Sequence, residues 1–223
     1  MMNIPALVFV ILFGVTSLVH LFFCYKESEK LRKISKCFCL LFLSIAAILF
    51  APDKPLIYVG ALCGMVGDYF MINKQKLSFL ITAMILFFAG HVLYCIQGVQ
   101  LLSYQLPYYA YIIAGGFILI CLFALYPITG KMAGKAGFGG NVYLSFLIVA
   151  LSLGIMIAVD RPSNPLPGIL FAVGYLLFFI SDSMIAITTY VKDVKRRDFY
   201  IMITYLLAQF FIIFGLLIPF ITK

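Results

Sequence analysis

At 223 residues, with 65% hydrophobic and 11% charged side chains and a mean hydropathy of +1.14, the chain has too little polar surface to close a soluble globule. Its net charge of +8 would suit a nucleic-acid binder in a soluble protein, but the basic residues fall in short connections between apolar runs, where they set topology and attract anionic headgroups. Composition thus excludes a soluble domain and a nucleic-acid partner, and leaves an all-α, polytopic integral membrane protein forming a single domain.

Runs long enough to cross about 30 Å of hydrocarbon predict a bundle of eight transmembrane helices. The first, 4–25, has no basic residue before its apolar core and no small-residue cleavage site, so it reads as a retained span; His20 and Thr16 share one of its faces as structural residues. The second, 37–51, is the shortest. The third, 55–72, follows Asp53 and Lys54 and carries Gly60, Gly64, Gly67 and Asp68 on one side, a small-residue stripe that lets another helix approach and turns Asp68 inward. The fourth, 78–102, has a similar stripe of His91, Tyr94 and Gly98. The fifth, 108–126, opens on Tyr108, Tyr109 and Tyr111, which with Tyr104 suit an interfacial belt. The sixth, 138–159, carries Tyr143; the seventh, 166–187, repeats a stripe of Gly174, Phe178 and Asp182; the eighth, 199–221, carries Tyr205 and Gln209. Cys24, Cys37, Cys39, Cys63, Cys95 and Cys121 lie in or beside these runs without metal-ligand spacing to the histidines and read as small hydrophobes.

Charge predicts orientation. Of the 16 Lys and Arg residues, all but Lys54, Arg161 and Lys223 fall in the connections after spans 1, 3, 5 and 7: Lys26, Lys30, Arg32, Lys33 and Lys36; Lys74 and Lys76; Lys131 and Lys135; Lys192, Lys195, Arg196 and Arg197. By the positive-inside rule both termini face away from the cytoplasm in a cell membrane. At 1.5 Å per residue Asp68 and Asp182 then lie about 6 Å above the inner ends of their spans, at the level of Tyr143 and Tyr205, with Gln209 one turn deeper and His91 and Tyr94 near the midplane.

The two aspartates are the most informative residues. An ionisable group at membrane depth costs about 2.5–3.5 kcal/mol even on a gentle insertion scale, and neither has a local basic partner along the chain. Each stands eight residues after a glycine on spans running the same way, a hint of two four-helix repeats in parallel. The bland reading, helix-tying hydrogen bonds to Tyr205 or Gln209, stands beside the functional one.

Asp53-Lys54-Pro55-Leu56, Gly67-Asp68, Gly90-His91-Val92-Leu93-Tyr94, Tyr143 after a small-residue loop, Phe179-Ile180-Ser181-Asp182-Ser183 and Thr204-Tyr205-Leu206-Leu207-Ala208-Gln209 occur in the order and spacing of the YhhN-like family, the lysoplasmalogenases. The chain resembles that family from about Lys54 to Gln209. The resemblance implies an eight-span hydrolase that cleaves the vinyl-ether bond of a lysoplasmalogen taken from the bilayer, releasing a fatty aldehyde and glycerophosphocholine or glycerophosphoethanolamine. It also raises His91 above a core histidine, and Lys54, otherwise a snorkelling anchor beside Asp53, to a substrate-binding candidate.

Such a reaction suits two carboxyl groups. Protonation of the β-carbon gives an oxocarbenium ion that water captures, so one group serves as acid while the other steadies the cation or activates water, the division that glycosidases use. The expected catalytic residues are Asp68 and Asp182, their roles open between them, with Lys54, His91, Tyr94, Tyr143, Tyr205 and Gln209 binding substrate and water. Basic residues at the inner surface, among them Lys74, Lys76, Lys131 and Lys135, draw the phosphate headgroup. No cofactor is expected, and one midplane histidine with two separated aspartates is a poor zinc set. The rival is a proton-coupled transporter of a small or lipid-like solute, which intramembrane carboxylates and a histidine also build; against it stands the lack of glycine or proline breaks midway along paired spans.

Overall fold

The computed structural model describes residues 3–72, 76–103, 106–129, 134–190 and 192–221, without the side chains of 121–122, 124–129, 134–139 and 189–190. Lys74, Tyr104, Lys131, Lys223 and the side chains of Cys121 and Lys135 therefore lie outside the described residues. The helices are α1 (Ile4–Tyr25), α2 (Glu29–Phe50), α3 (Pro55–Met71), α4 (Leu77–Val99), α5 (Tyr108–Thr129), α6 (Gly134–Asp160), α7 (Leu166–Tyr190) and α8 (Arg197–Ile221), with no strand among the described residues. The protein is an all-helical polytopic membrane protein. Among the described residues six helices, α1, α2, α4, α6, α7 and α8, are long and apolar enough to cross a membrane; α3, with 17 residues, and Tyr108–Ile120 of α5 are shorter apolar helices.

The helix starts follow local chemistry. The Asn3 side chain accepts from the Ala6 N–H at 3.2 Å and donates to the Leu49 carbonyl, so the residue that caps α1 also fastens it to the end of α2. Pro55, whose fixed φ and missing N–H suit a first turn, opens α3 directly after Lys54. The main departure from the sequence reading is α2. It begins at Glu29, eight residues before the expected 37, because the polar stretch is itself helical: Glu29 in the first turn bonds Lys33 one turn on at 2.6 Å. Lys36, expected in a connection, is thereby a residue of the helix.

Two compact units divide the chain, Met1–Gln97 with Leu216–Lys223, and Gly98–Gly215. In the first, α2 packs on both α1 and α3; in the second, α6 packs on both α5 and α7. Close approach in each rests on glycine. A Cβ on Gly60 of α3 would lie 2.6 Å from the Tyr94 ring and 3.1 Å from the Gly90 carbonyl of α4; one on Gly174 of α7 would lie 2.7 Å from the Ile212 side chain and 3.0 Å from the Ala208 carbonyl of α8. The expected inward stripe on α3 is present, with Gly60, Gly64, Gly67 and Asp68 all buried.

Within the second unit a clasp unforeseen from sequence joins the segments after α4 and α6. Asp160 accepts from the Ser103 N–H at 2.7 Å and from its hydroxyl, while Arg161 donates twice to the Leu101 carbonyl, at 3.0 and 2.6 Å. Arg161, counted only as a topology residue, is thus a fastener. Outward surfaces are apolar, as lipid contact asks: Ile11, Leu18, Ile85, Ile112, Leu119 and Phe123 are all largely exposed. Tyr108, Tyr109 and Tyr111 are exposed at the start of α5.

Candidate active site

In the first unit the site is built around Asp68, near the end of α3, which is 1% exposed. Its Oδ1 lies 2.9 Å from Nζ of Lys36 on α2. The expectation that Asp68 lacks a basic partner is therefore corrected. The partner comes from the neighbouring helix, because extending α2 to Glu29 carries Lys36 onto the face that also holds buried Leu40, Leu43 and Ala47. A charge at this depth is tolerable when paired, and the Lys36 stem covers apolar surface while its ammonium reaches the carboxylate.

His91 and Tyr94 are each 1% exposed, on α4, with ring centroids 6.1 Å apart. Tyr94 lies on Gly60, eight residues before Asp68, so this pair sits about 12 Å from Asp68 along α3. The helix is unbroken from Leu77 to Val99, so nothing brings His91 down to the aspartate's level. Lys54 stands at the opposite end of α3 from Asp68, roughly 20 Å away along the axis. There its ammonium lies 3.0 Å from an Asp53 carboxylate oxygen and 4.7 Å from the Phe220 ring centroid. The Lys54 hydrogen bond holds the Asp53 carboxyl below the ordinary carboxylate range. Inside α1, His20 Nδ1 meets Ser35 Oγ at 2.7 Å and its Nε2 meets Cys24 Sγ at 3.5 Å, so this fully buried histidine ties α1 to α2.

The second unit builds a comparable site around Asp182 of α7, which is half-buried. Tyr143 of α6 has a buried hydroxyl and interacts electrostatically with this carboxyl group. One residue away, Ser181 Oγ donates to the Ile201 carbonyl of α8 at 3.1 Å, fixing α8 at this level. A turn further along, the Tyr205 ring stands edge-on to Phe178 with centroids 5.4 Å apart. Another turn on, Gln209, 1% exposed, follows the Ala208 that receives Gly174. Tyr205 and Gln209 thus lie one turn apart on α8, both buried, while Tyr143 comes from α6.

The two arrangements correspond part by part. An aspartate follows a close-packed glycine by eight residues on α3 and on α7. The helix before each supplies the aspartate's partner, Lys36 in one unit and Tyr143 in the other. The helix after each supplies a buried polar residue next to the glycine contact, since His91 follows Gly90 as Gln209 follows Ala208. The units differ at the aspartate's partner: a cation for Asp68, a phenol for Asp182.

A family model described as the YhhN family matches residues 30–216, beginning well before Lys54 and including Lys36 with both aspartates. No curated protein and no solved structure matches the chain. With a family match over most of its length, on an all-helical membrane scaffold carrying a partnered aspartate in each unit, this chain belongs to the YhhN family.

Proposed function

We propose that the protein is a membrane hydrolase of the vinyl-ether bond in lysoplasmalogens, with Asp68 and Asp182 as its catalytic residues. Family membership supports the class of protein, and the observation that carries the chemistry is a carboxyl group in each unit, inside apolar helices, that of Asp68 paired with Lys36 of the preceding helix. Such expensive groups mark function.

One carboxyl group gives its proton to the β-carbon of the alkene as the π pair forms the new C–H bond, leaving an oxocarbenium ion. A carboxylate steadies such a cation. Water adds to the cationic carbon and returns a proton to the donor; the hemiacetal then collapses, its carbon–oxygen bond to glycerol breaking to give the fatty aldehyde and a glycerol hydroxyl. Tyr143, Tyr205 and Gln209 orient the ether oxygen and the water, and His91, Tyr94 and Lys54 bind substrate. The lipid arrives from the bilayer, with both chain termini on the non-cytoplasmic side. In this reading the surroundings of each carboxyl group set its role.

Purified chain in detergent, given lysoplasmalogen, is expected to release aldehyde continuously. A proton-coupled transporter needs two compartments, so solute movement in sealed vesicles with no aldehyde in detergent would replace the hydrolase with the carrier.

A further inference from the structure

Among the described residues Lys36 is the one lysine paired with a buried carboxylate. Lys33 meets Glu29 and Lys54 meets Asp53, whose side chains are 70% and 71% exposed, whereas Lys36 lies 2.9 Å from Oδ1 of Asp68, 2% exposed. The lysine is the accessible member of its pair, with 17% of its side chain open. An ammonium carries three N–H donors and one carboxylate oxygen engages one of them, so Asp68 orients the cation and leaves donors for a second anion. Arg32 stands one turn earlier on the same face of α2, a further cation at this end of the helix.

We propose that Lys36, held in place by Asp68, binds the phosphate of a single-chained lipid headgroup. A phosphate oxygen in hydrogen-bonding contact with the ammonium stands within about 6 Å of Asp68 Oδ1, close to the length of the glycerol that separates phosphate from ether oxygen in a lysolipid. One ion pair thus presents a cation and a carboxyl group at the spacing of the two ends of that glycerol. The anion is borne by a lipid because the exposed surface beside the pair is apolar on both helices: Ile34 and Phe38 within two residues of Lys36, Val66 and Tyr69 within two residues of Asp68. The assignment rests on the hydrolase reading above and deepens it, since it makes the phosphate, and not the alkyl chain alone, a requirement for binding. It involves the first unit only.

The experiment measures equilibrium binding to the full chain in a neutral detergent by calorimetric titration. The probes are a saturated alkyl-ether lysolipid with a glycerophosphocholine headgroup, which has no double bond to protonate, and the alkylglycerol of the same chain without phosphate. The unsubstituted chain should bind the phosphate-bearing probe at least about tenfold more tightly. Lys36→Met should bring the two probes within about twofold of each other, Lys36→Arg should keep the preference, and Lys33→Met, an equal loss of charge at an exposed position, should leave it unchanged. Should Lys36→Met fail to fold, Lys36→Met/Asp68→Asn removes both charges together and should bind the two probes alike. Equal binding of the probes by the unsubstituted chain, a preference that survives Lys36→Met, or one lost as fully in Lys33→Met would each overturn the proposal. Displacement of the lysolipid by inorganic phosphate below about 1 mM would give the site to the free anion and overturn the headgroup assignment. No aldehyde from the unsubstituted chain ends the hydrolase reading, whereas these probes are not cleaved and still decide whether Lys36 binds phosphate.

Discussion

Asp182→Asn is expected to lower kcat for aldehyde release about 1000-fold while keeping the thermal midpoint of the unsubstituted chain. An amide of the same shape is polar and accepts and donates hydrogen bonds, so the half-buried position tolerates it. What is lost is a carboxyl group that can give or take a proton. General acids contribute about 10²–10⁴-fold, and protonation of carbon is the slow step of vinyl-ether cleavage, so the loss falls on kcat. About 4 kcal/mol of transition-state stabilisation disappears if the loss is 1000-fold. Aldehyde release from the Asn variant at the wild-type rate, measured by coupled dehydrogenase assay, would remove Asp182 from the mechanism.

Asp68→Asn should differ in kind. Activity falls by about 10²–10³-fold, the range for losing one preorganised electrostatic contact, but the variant also leaves the Lys36 ammonium facing a neutral amide. Removing one member of a buried pair is strongly destabilising, so the thermal midpoint should drop by about 5 °C or more. The 17% exposure of the Lys36 side chain gives the ammonium a partial route to water and limits that drop. Adding Lys36→Met to Asp68→Asn should restore the midpoint without restoring catalysis. Two aspartates at like positions would then separate cleanly, one variant catalytically dead and stable, the other dead and destabilised. Equal stability and full activity in Asp68→Asn would dissolve the distinction.

Much of the architecture was legible because membrane depth constrains sequence so strongly. Every expected run has a helix, and seven of the eight begin within four residues of the expected boundary, since apolar length and basic connections mark where helices cross. The exception, α2, was misjudged for a physical reason. Hydropathy locates apolar residues, whereas helix formation also recruits the polar turns from Glu29 to Lys36, which carry good helix formers and an i,i+4 pair. That error hid the partner of Asp68. The signal was present: Lys36, Leu40, Leu43 and Ala47 follow one another at helical spacing, so continuing the buried stripe backward places the lysine on the packed face. Asp68 and Asp182 themselves stand out in the sequence because each is a carboxylate in an apolar run, and Tyr143, Tyr205 and Gln209 because they are polar residues in apolar helices. The clasp of Asp160 and Arg161 with the segment after α4 was not, because its contacts run to Ser103 and to a backbone carbonyl about 60 residues away, and no periodicity records such a bond.

The most direct test of acid-catalysed vinyl-ether cleavage is to run the reaction in deuterium oxide and examine the aldehyde by mass spectrometry while following its rate. Proton donation to the β-carbon predicts one deuterium on the carbon next to the aldehyde carbonyl and a rate slower in deuterium oxide than in water. Aldehyde released without deuterium, or at the same rate in both solvents, would contradict it.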